Sequence, residues 1–355
     1  MGIKYLNKYL QLNCKKSISC ISLSELSGKK IVIDVSVLLY RYEGDDALIE
    51  NTYLLLSILQ KYNIIPIFVF DGKSPTEKKA LLQKRREDRV NAEKEYNLLK
   101  NELNNSESQC LSLLDKQEII VLMDQLKKKI IYITKEKINR VKDLIKFYGA
   151  FFIDAPNEAD ELCCYLVNTN QVWACLSEDM DMFVYGCSRV LRYLSLLNHT
   201  VVIYHYDKIL KELNLSCEEF KEICIISGTD YNTNLNTNLN IFDIFNYFDK
   251  YKQNNTNSSN NSSNSNNSSN SNSNNKIHEL TFCNWLKFIE FDKEKKIIID
   301  ENMINKIKNM FNLNLKITNQ DFDNYNNISQ VSFTKNQIDF VNMKILLEEN
   351  GFVFI

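Results

Sequence analysis

Four short apolar runs punctuate the first 180 residues, and acidic residues follow each of them. Lys30-Ile31-Val32-Ile33-Asp34 and Ile64-Ile65-Pro66-Ile67-Phe68-Val69-Phe70-Asp71 end directly on a carboxylate. Ala150–Ile153 and Val172–Leu176 are soon followed by one. Segments of helix length separate the runs, the first of them Leu48 to Tyr62. Apolar strands alternating with helices predict an α/β fold with a mostly parallel central sheet covered on both faces. In such sheets ligand chemistry collects at the carboxyl ends of the strands, which is where these acidic residues fall.

Further along, the pattern changes character. From Thr76 to about Phe147 it is helical and rich in Lys and Arg, and residues 217–230 read as another helix ending at Gly228-Thr229-Asp230. From Asn254 to Asn275 every residue is Asn, Ser or Thr. That tract has no apolar surface to bury and is expected to be a disordered insertion. Helical, apolar-bearing sequence resumes over 276–355. The 355 residues include only 8 Gly and 3 Pro, against roughly 25 and about 18 at average usage. Collagen, flexible Gly/Ser linkers and turn-dense all-β repeats are thereby excluded, and the scarce Gly and Pro are expected at the essential turns.

The length fits about two domains, or one large α/β domain with an insertion. Net charge is −2, so no global basic character announces nucleic acid. The ten Cys form no C-x-x-C pair and the three His are His199, His205 and His278, so zinc spacing is absent. Cys163 and Cys164 read as core thiols. No apolar run reaches membrane-spanning length, and MGIKYLNKYL lacks a signal-peptide core. A soluble protein of a reducing compartment is expected.

Seven carboxylates stand at candidate strand ends or helix starts: Asp34, Asp71, Glu158, Asp160, Asp179, Asp181 and Asp230. Any one of them alone is ordinary. Seven sharing a crevice would repel one another strongly unless cations occupied it. Oxygen donors without His or Cys suit Mg²⁺ or Mn²⁺, and two such ions about 4 Å apart can clamp a phosphodiester. Glu158/Asp160 and Asp179/Asp181 are i, i+2 pairs, so both members reach one site only from a loop or a first helical turn.

MGIKYLNKYL, IVIDVSVLLYRY, IFVFDGKSP, APNEADE, LSEDMDMFVYG and SGTDYN occur in the order seen in flap endonuclease/XPG-type 5′-nucleases. The chain resembles that family over essentially its whole length. The resemblance implies a PIN-like nuclease core whose seven matching carboxylates hold two Mg²⁺ ions, with Mn²⁺ as a substitute. Asp160 stands where flap endonucleases usually carry Glu and exonuclease-type relatives carry Asp. The implied organisation is an N-terminal nuclease region (1–100) with the start of a helical gateway, cap helices (101–140) and an internal nuclease region (141–232). After these come a degenerate helix–two-turn–helix (233–253), the Asn/Ser insertion (254–275) and a helical C-terminal region (276–355).

Residues 73–100 carry nine basic against five acidic side chains, and residues 127–146 eight against two. Such runs are usually solvated helix faces. Here Lys78, Arg85 and Arg89 recur at helical spacing beyond Asp71, as one cationic stripe toward a phosphate backbone. By resemblance Lys78 and Arg85 engage the scissile phosphate. Tyr40 matches an aromatic on which a base stacks, and reads equally as a core tyrosine of an apolar helix.

Three departures from the family pattern stand out. Asn238-Leu239-Asn240 replaces a Gly-Ile-Gly hairpin that contacts duplex DNA and a monovalent cation. Asn follows Gly in tolerance of positive φ, so the turn is expected with Asn238 and Asn240 in the DNA-contacting positions. The Arg41–Asn51 segment is shorter than the region forming the family's 3′-flap pocket. No sliding-clamp peptide is expected, because Gln337-Ile338-Asp339-Phe340 lacks paired aromatics.

The resemblance therefore implies a monomeric, Mg²⁺-dependent 5′ nuclease acting on flapped, nicked or branched DNA in replication or repair. Its place would be the nucleus or another intracellular replication compartment, viral or cellular. A 5′→3′ exonuclease and a non-catalytic DNA-binding scaffold are the alternatives.

Overall fold

A computed structural model of the chain describes residues 2–104, 113–232, 239–261, 281–288, 300–313 and 337–354. Seven strands form one sheet in the order β1-β7-β6-β5-β2-β3-β4. They are β1 (Ile18–Ser22), β2 (Lys30–Asp34), β3 (Ile65–Phe70), β4 (Phe151–Asp154), β5 (Ala174–Leu176), β6 (Arg189–Ser195) and β7 (Thr200–His205). The four runs legible in the sequence are β2–β5, and their pairings are parallel: β2 with β3, β2 with β5, and β3 with β4. Consecutive residues Ile31, Val32, Ile33 and Asp34 are all buried, so both faces of β2 are covered, as the unbroken apolar pattern requires.

The other three strands make the sheet mixed. His205 donates its N–H to Ser17 and Leu23 donates to His199, so β1 and β7 run antiparallel. Neighbouring strands β6 and β7 are joined by four residues, a length that permits only an antiparallel hairpin. Nor do the scarce glycines carry every turn: Asp46, Asn63, Asn170, His199 and Asn214 all take positive φ. Asn and Asp tolerate this region because a short polar side chain bonds locally to the backbone.

The chain groups into two compact units. One comprises residues 21–177, 191–201 and 331–355. Its helices are α1 (Ser36–Gly44), α2 (Leu48–Lys61), α3 (Lys79–Asn104), α4 (Leu113–Ile130), α5 (Lys135–Phe147), α6 (Ala159–Asn168) and a last one at Phe340–Glu349. Along α2, Leu48, Thr52, Leu55, Leu56 and Leu59 are buried at one-turn spacing, the apolar stripe that docks it. α6 packs on β2, β3 and β5, while α3 and α4 pack chiefly on each other, which leaves α3 largely exposed with only Ala92 buried.

The other unit comprises residues 1–20, 178–190 and 202–330. Its centre is the helix Cys217–Ser227, opened by a Ser216/Glu219 capping box, with Phe220 and Ile223–Ile226 buried. Tyr9 stacks on Phe245 at 3.8 Å, and Phe311 meets Tyr185 and Tyr231 edge-on. The helix Ile241–Asn261 continues eight residues into the Asn/Ser tract. Extending a packed helix costs far less than nucleating one, so weak helix formers can follow it. The tract beyond Asn261 lies outside the described residues. Among the described residues no helix is long and apolar enough to cross a membrane, and the nine described cysteines are free thiols.

Candidate active site

Four of the seven carboxylates belong to the first unit, two at the ends of its parallel strands and two at the start of α6. Asp34 closes β2 and is 4% exposed. Its Oδ1 accepts the N–H of Ser36 at 3.1 Å and its Oδ2 the hydroxyl of Ser177 at 2.8 Å. Asp71 follows β3 and is exposed, yet both of its oxygens are engaged. Ser36 Oγ donates to Oδ2, and Ala159 N–H, at the start of α6, donates to Oδ1 at 2.8 Å. One serine thus bonds two carboxylates from two strands.

The loop after β3 is zipped to the loop before α6: Gly72 N–H donates to Asn157 at 2.7 Å and Lys73 N–H to Pro156. A Cβ at Gly72 would overlap the Ala155 carbonyl, so this approach requires glycine. Glu158 is the N-cap of α6 in extended conformation, and Asp160 lies in the first helical turn. That is the loop-to-helix placement the i, i+2 spacing demands. Burial first, then a hydrogen bond with Cys175, then the charges of Asp34 and Asp160 push the Cys163 thiol well up.

Three carboxylates belong to the second unit. Asp181 opens a short helix, Asp181–Val184, and is 2% exposed. Its N–H donates to Asp179 Oδ1 at 2.9 Å. Gly2 has φ +74, and a Cβ there would collide with Asp179 Oδ1 and with Asp181 Oδ1. The backbone of residue 2 therefore lies directly against both carboxylates. Asp230 sits half-buried in a locked turn: Thr229 donates through both N–H and Oγ1 to Asn232 Oδ1, and Asn232 Nδ2 donates to the Ile225 carbonyl.

The three basic residues of the stripe lie in unlike settings. Lys78 ends a 3₁₀ turn, Thr76–Lys78, ahead of α3, and its Nζ lies 2.7 Å from Glu158 with both side chains 12% exposed. Arg89 stacks over Tyr132 at 4.7 Å, and Arg85 is exposed on α3. Tyr40 is 47% exposed, which removes its core reading.

Asn240 does not take positive φ. Its Oδ1 accepts the N–H groups of Phe242 and Asp243, and Asp243 Oδ2 accepts the Asn240 N–H, which makes Asn240 a helix N-cap. Asn is among the best N-caps, so position 240 opens a helix where a positive-φ turn was expected. Asn238 lies outside the described residues. Ser36, Ser177, Gly2 and Asn232 were not singled out as site residues, although all four lie within or beside the quoted motifs. A hydroxyl at a helix start was the available signal for Ser36.

Oxygen-only donors of this kind suit a hard divalent cation. Among the described residues no three acidic, His or Cys side chains form a ready cation cage. Protein donors and the Lys78 ammonium occupy carboxylate oxygens instead. Residues 1–92 match the XPG N-terminal domain and residues 149–230 the XPG I-region. The first span contains Asp34 and Asp71, and the second the other five carboxylates.

The chain belongs to the flap endonuclease/XPG family. It is 31% identical to flap endonuclease 1 of Glycine max over 250 residues, 65% of this chain and 62% of that protein. It is 32% identical to the Drosophila mojavensis enzyme, over 65% and 60%. The match thus spans about three-fifths of the length of these curated relatives. The fold is shared with the catalytic core of Rad2, solved in complex with DNA substrate: TM-score 0.62, 18% identity, 97% of this chain and 93% of that one. It is also shared with the junction-resolving enzyme GEN-1: TM-score 0.60, 17% identity, 96% and 72%.

Proposed function

We propose that this chain is a divalent-metal-dependent, structure-specific 5′ nuclease that hydrolyses DNA phosphodiesters near single-strand/duplex junctions, in replication or repair. The observation that carries this reading is that seven carboxylates at strand ends, helix starts and turns all fall within the two XPG regions. Asp34, Asp71, Glu158, Asp160, Asp179, Asp181 and Asp230 would hold two Mg²⁺ ions, with Mn²⁺ as a substitute. Bound there, the ions would supply a water nucleophile at neutral pH and charge stabilisation for the leaving oxygen.

In this reading Lys78 leaves Glu158 to meet the substrate phosphate, and exposed Arg85 binds the same backbone from α3. Tyr40, an exposed aromatic on α1, stacks on a base beside the scissile bond. Asp179→Ala is expected to abolish cleavage of a 5′-flap duplex while DNA binding stays measurable. Full residual activity in that variant would refute the assignment. Asp160, shorter than the Glu usual in flap endonucleases, favours a second reading as a 5′→3′ exonuclease on nicked or gapped duplex. On 5′-labelled DNA the first reading predicts a short oligonucleotide, the second mononucleotides.

A further inference from the structure

We infer that Ser36 is a positioning residue that sets the geometry of Asp34 and Asp71 before any cation arrives. The inference rests on the metal-dependent reading above and adds to it a residue that is not itself a ligand.

A chain of hydrogen bonds crosses the carboxyl edge of the parallel strands. It starts at Ser177, beyond β5, whose hydroxyl donates to Asp34 Oδ2. Asp34, at the end of β2, accepts the Ser36 N–H on its other oxygen. Ser36, the first residue of α1, donates its hydroxyl to Asp71 Oδ2. Asp71, beyond β3, accepts the Ala159 N–H, which brings in the helix carrying Asp160 and the capping Glu158.

Asp34 and Asp71 fill unlike environments. Asp34 is buried, with one hydroxyl and one amide donor. Asp71 is exposed on a loop, where a carboxylate free to rotate would turn toward solvent and away from a second negative charge. The Ser36 hydroxyl opposes that rotation. The four bonds engage each oxygen of the two carboxylates, and a carboxylate oxygen has more than one lone pair to offer. Partners of this kind around metal ligands typically change affinity by about 10–100-fold when removed.

The substitution separates the two functions of Ser36. Ser36→Ala keeps the N–H that bonds Asp34 and removes only the hydroxyl that bonds Asp71. Ser36→Thr restores a hydroxyl, and Ser36→Val supplies the Thr shape without it. The test is Mn²⁺ binding to the full chain, followed by electron paramagnetic resonance without DNA, together with thermal melting. Ser36→Ala and Ser36→Val are expected to weaken Mn²⁺ binding about tenfold, with Ser36→Thr near wild type and all melting temperatures close. Equal Mn²⁺ affinity in all four proteins would overturn the inference while leaving the metal reading standing. Val matching Thr would assign the effect to packing and also overturn it. A wild-type chain that binds no Mn²⁺ would remove the metal reading, and this inference with it.

Discussion

The two groups of carboxylates reach fixed geometry by different physical means. Asp34, Asp71 and Glu158 are held by side chains: two serine hydroxyls and a lysine ammonium, helped by the amides of Ser36 and Ala159. Asp179, Asp181 and Asp230 are held by main chain and by a locked turn: the backbone of Gly2, the amide of Asp181, and Asn232 bracing the loop of Thr229. Side-chain donors can be removed one at a time without filling space. A backbone pressed against two carboxylates tolerates no added atom. The first group should therefore respond gradually to substitution, and the second abruptly to added volume.

The largest effect expected from a non-ligand is at Lys78. In Lys78→Met the ammonium is lost both from Glu158 and from the phosphate it is proposed to meet. A cationic clamp of this kind is worth about 10²–10³-fold in kcat, read by single-turnover cleavage. Mn²⁺ should bind more tightly in the same variant, because Lys78 no longer competes for Glu158. Weaker binding would mean that the ion pair organises the site instead of guarding it.

The sharpest contrast between the groups comes from their glycines. Gly2→Ala forces a side chain into positive φ, at about 1–2 kcal/mol, and drives its Cβ into Asp179 and Asp181. Metal binding should fall with it. Gly72→Ala overpacks against the Ala155 carbonyl, at about 1–3 kcal/mol, and shifts the loop that carries Asp71 without its Cβ meeting a carboxylate. Its melting temperature should fall with a smaller loss of Mn²⁺ affinity. Equal losses of affinity in the two variants would erase the distinction drawn above.

Much of the strand pattern was legible in the sequence, because both-face burial leaves unbroken apolar runs. β2 and β3 end at the predicted carboxylates, and β4 and β5 start within two residues of their predicted positions. β1, β6 and β7 were not read. The β6–β7 turn has no Gly or Pro, and the chain turns there with His199 at φ 51, a residue that carries no turn signal. The local setting of the candidate site residues was less legible. Lys78 falls in a 3₁₀ turn and Asn240 becomes an N-cap, and neither outcome follows from spacing alone. Nor does any periodicity reveal that the backbone of Gly2 approaches two carboxylates.

The most direct test is the Mn²⁺ stoichiometry of the full chain, measured for wild type, Asp34→Asn and Asp179→Asn. The two variants remove one charge from each group. Two bound ions are predicted for wild type, with at least one lost or strongly weakened in each variant. Two ions held at wild-type affinity after either substitution would contradict the claim that both groups serve one metal chemistry.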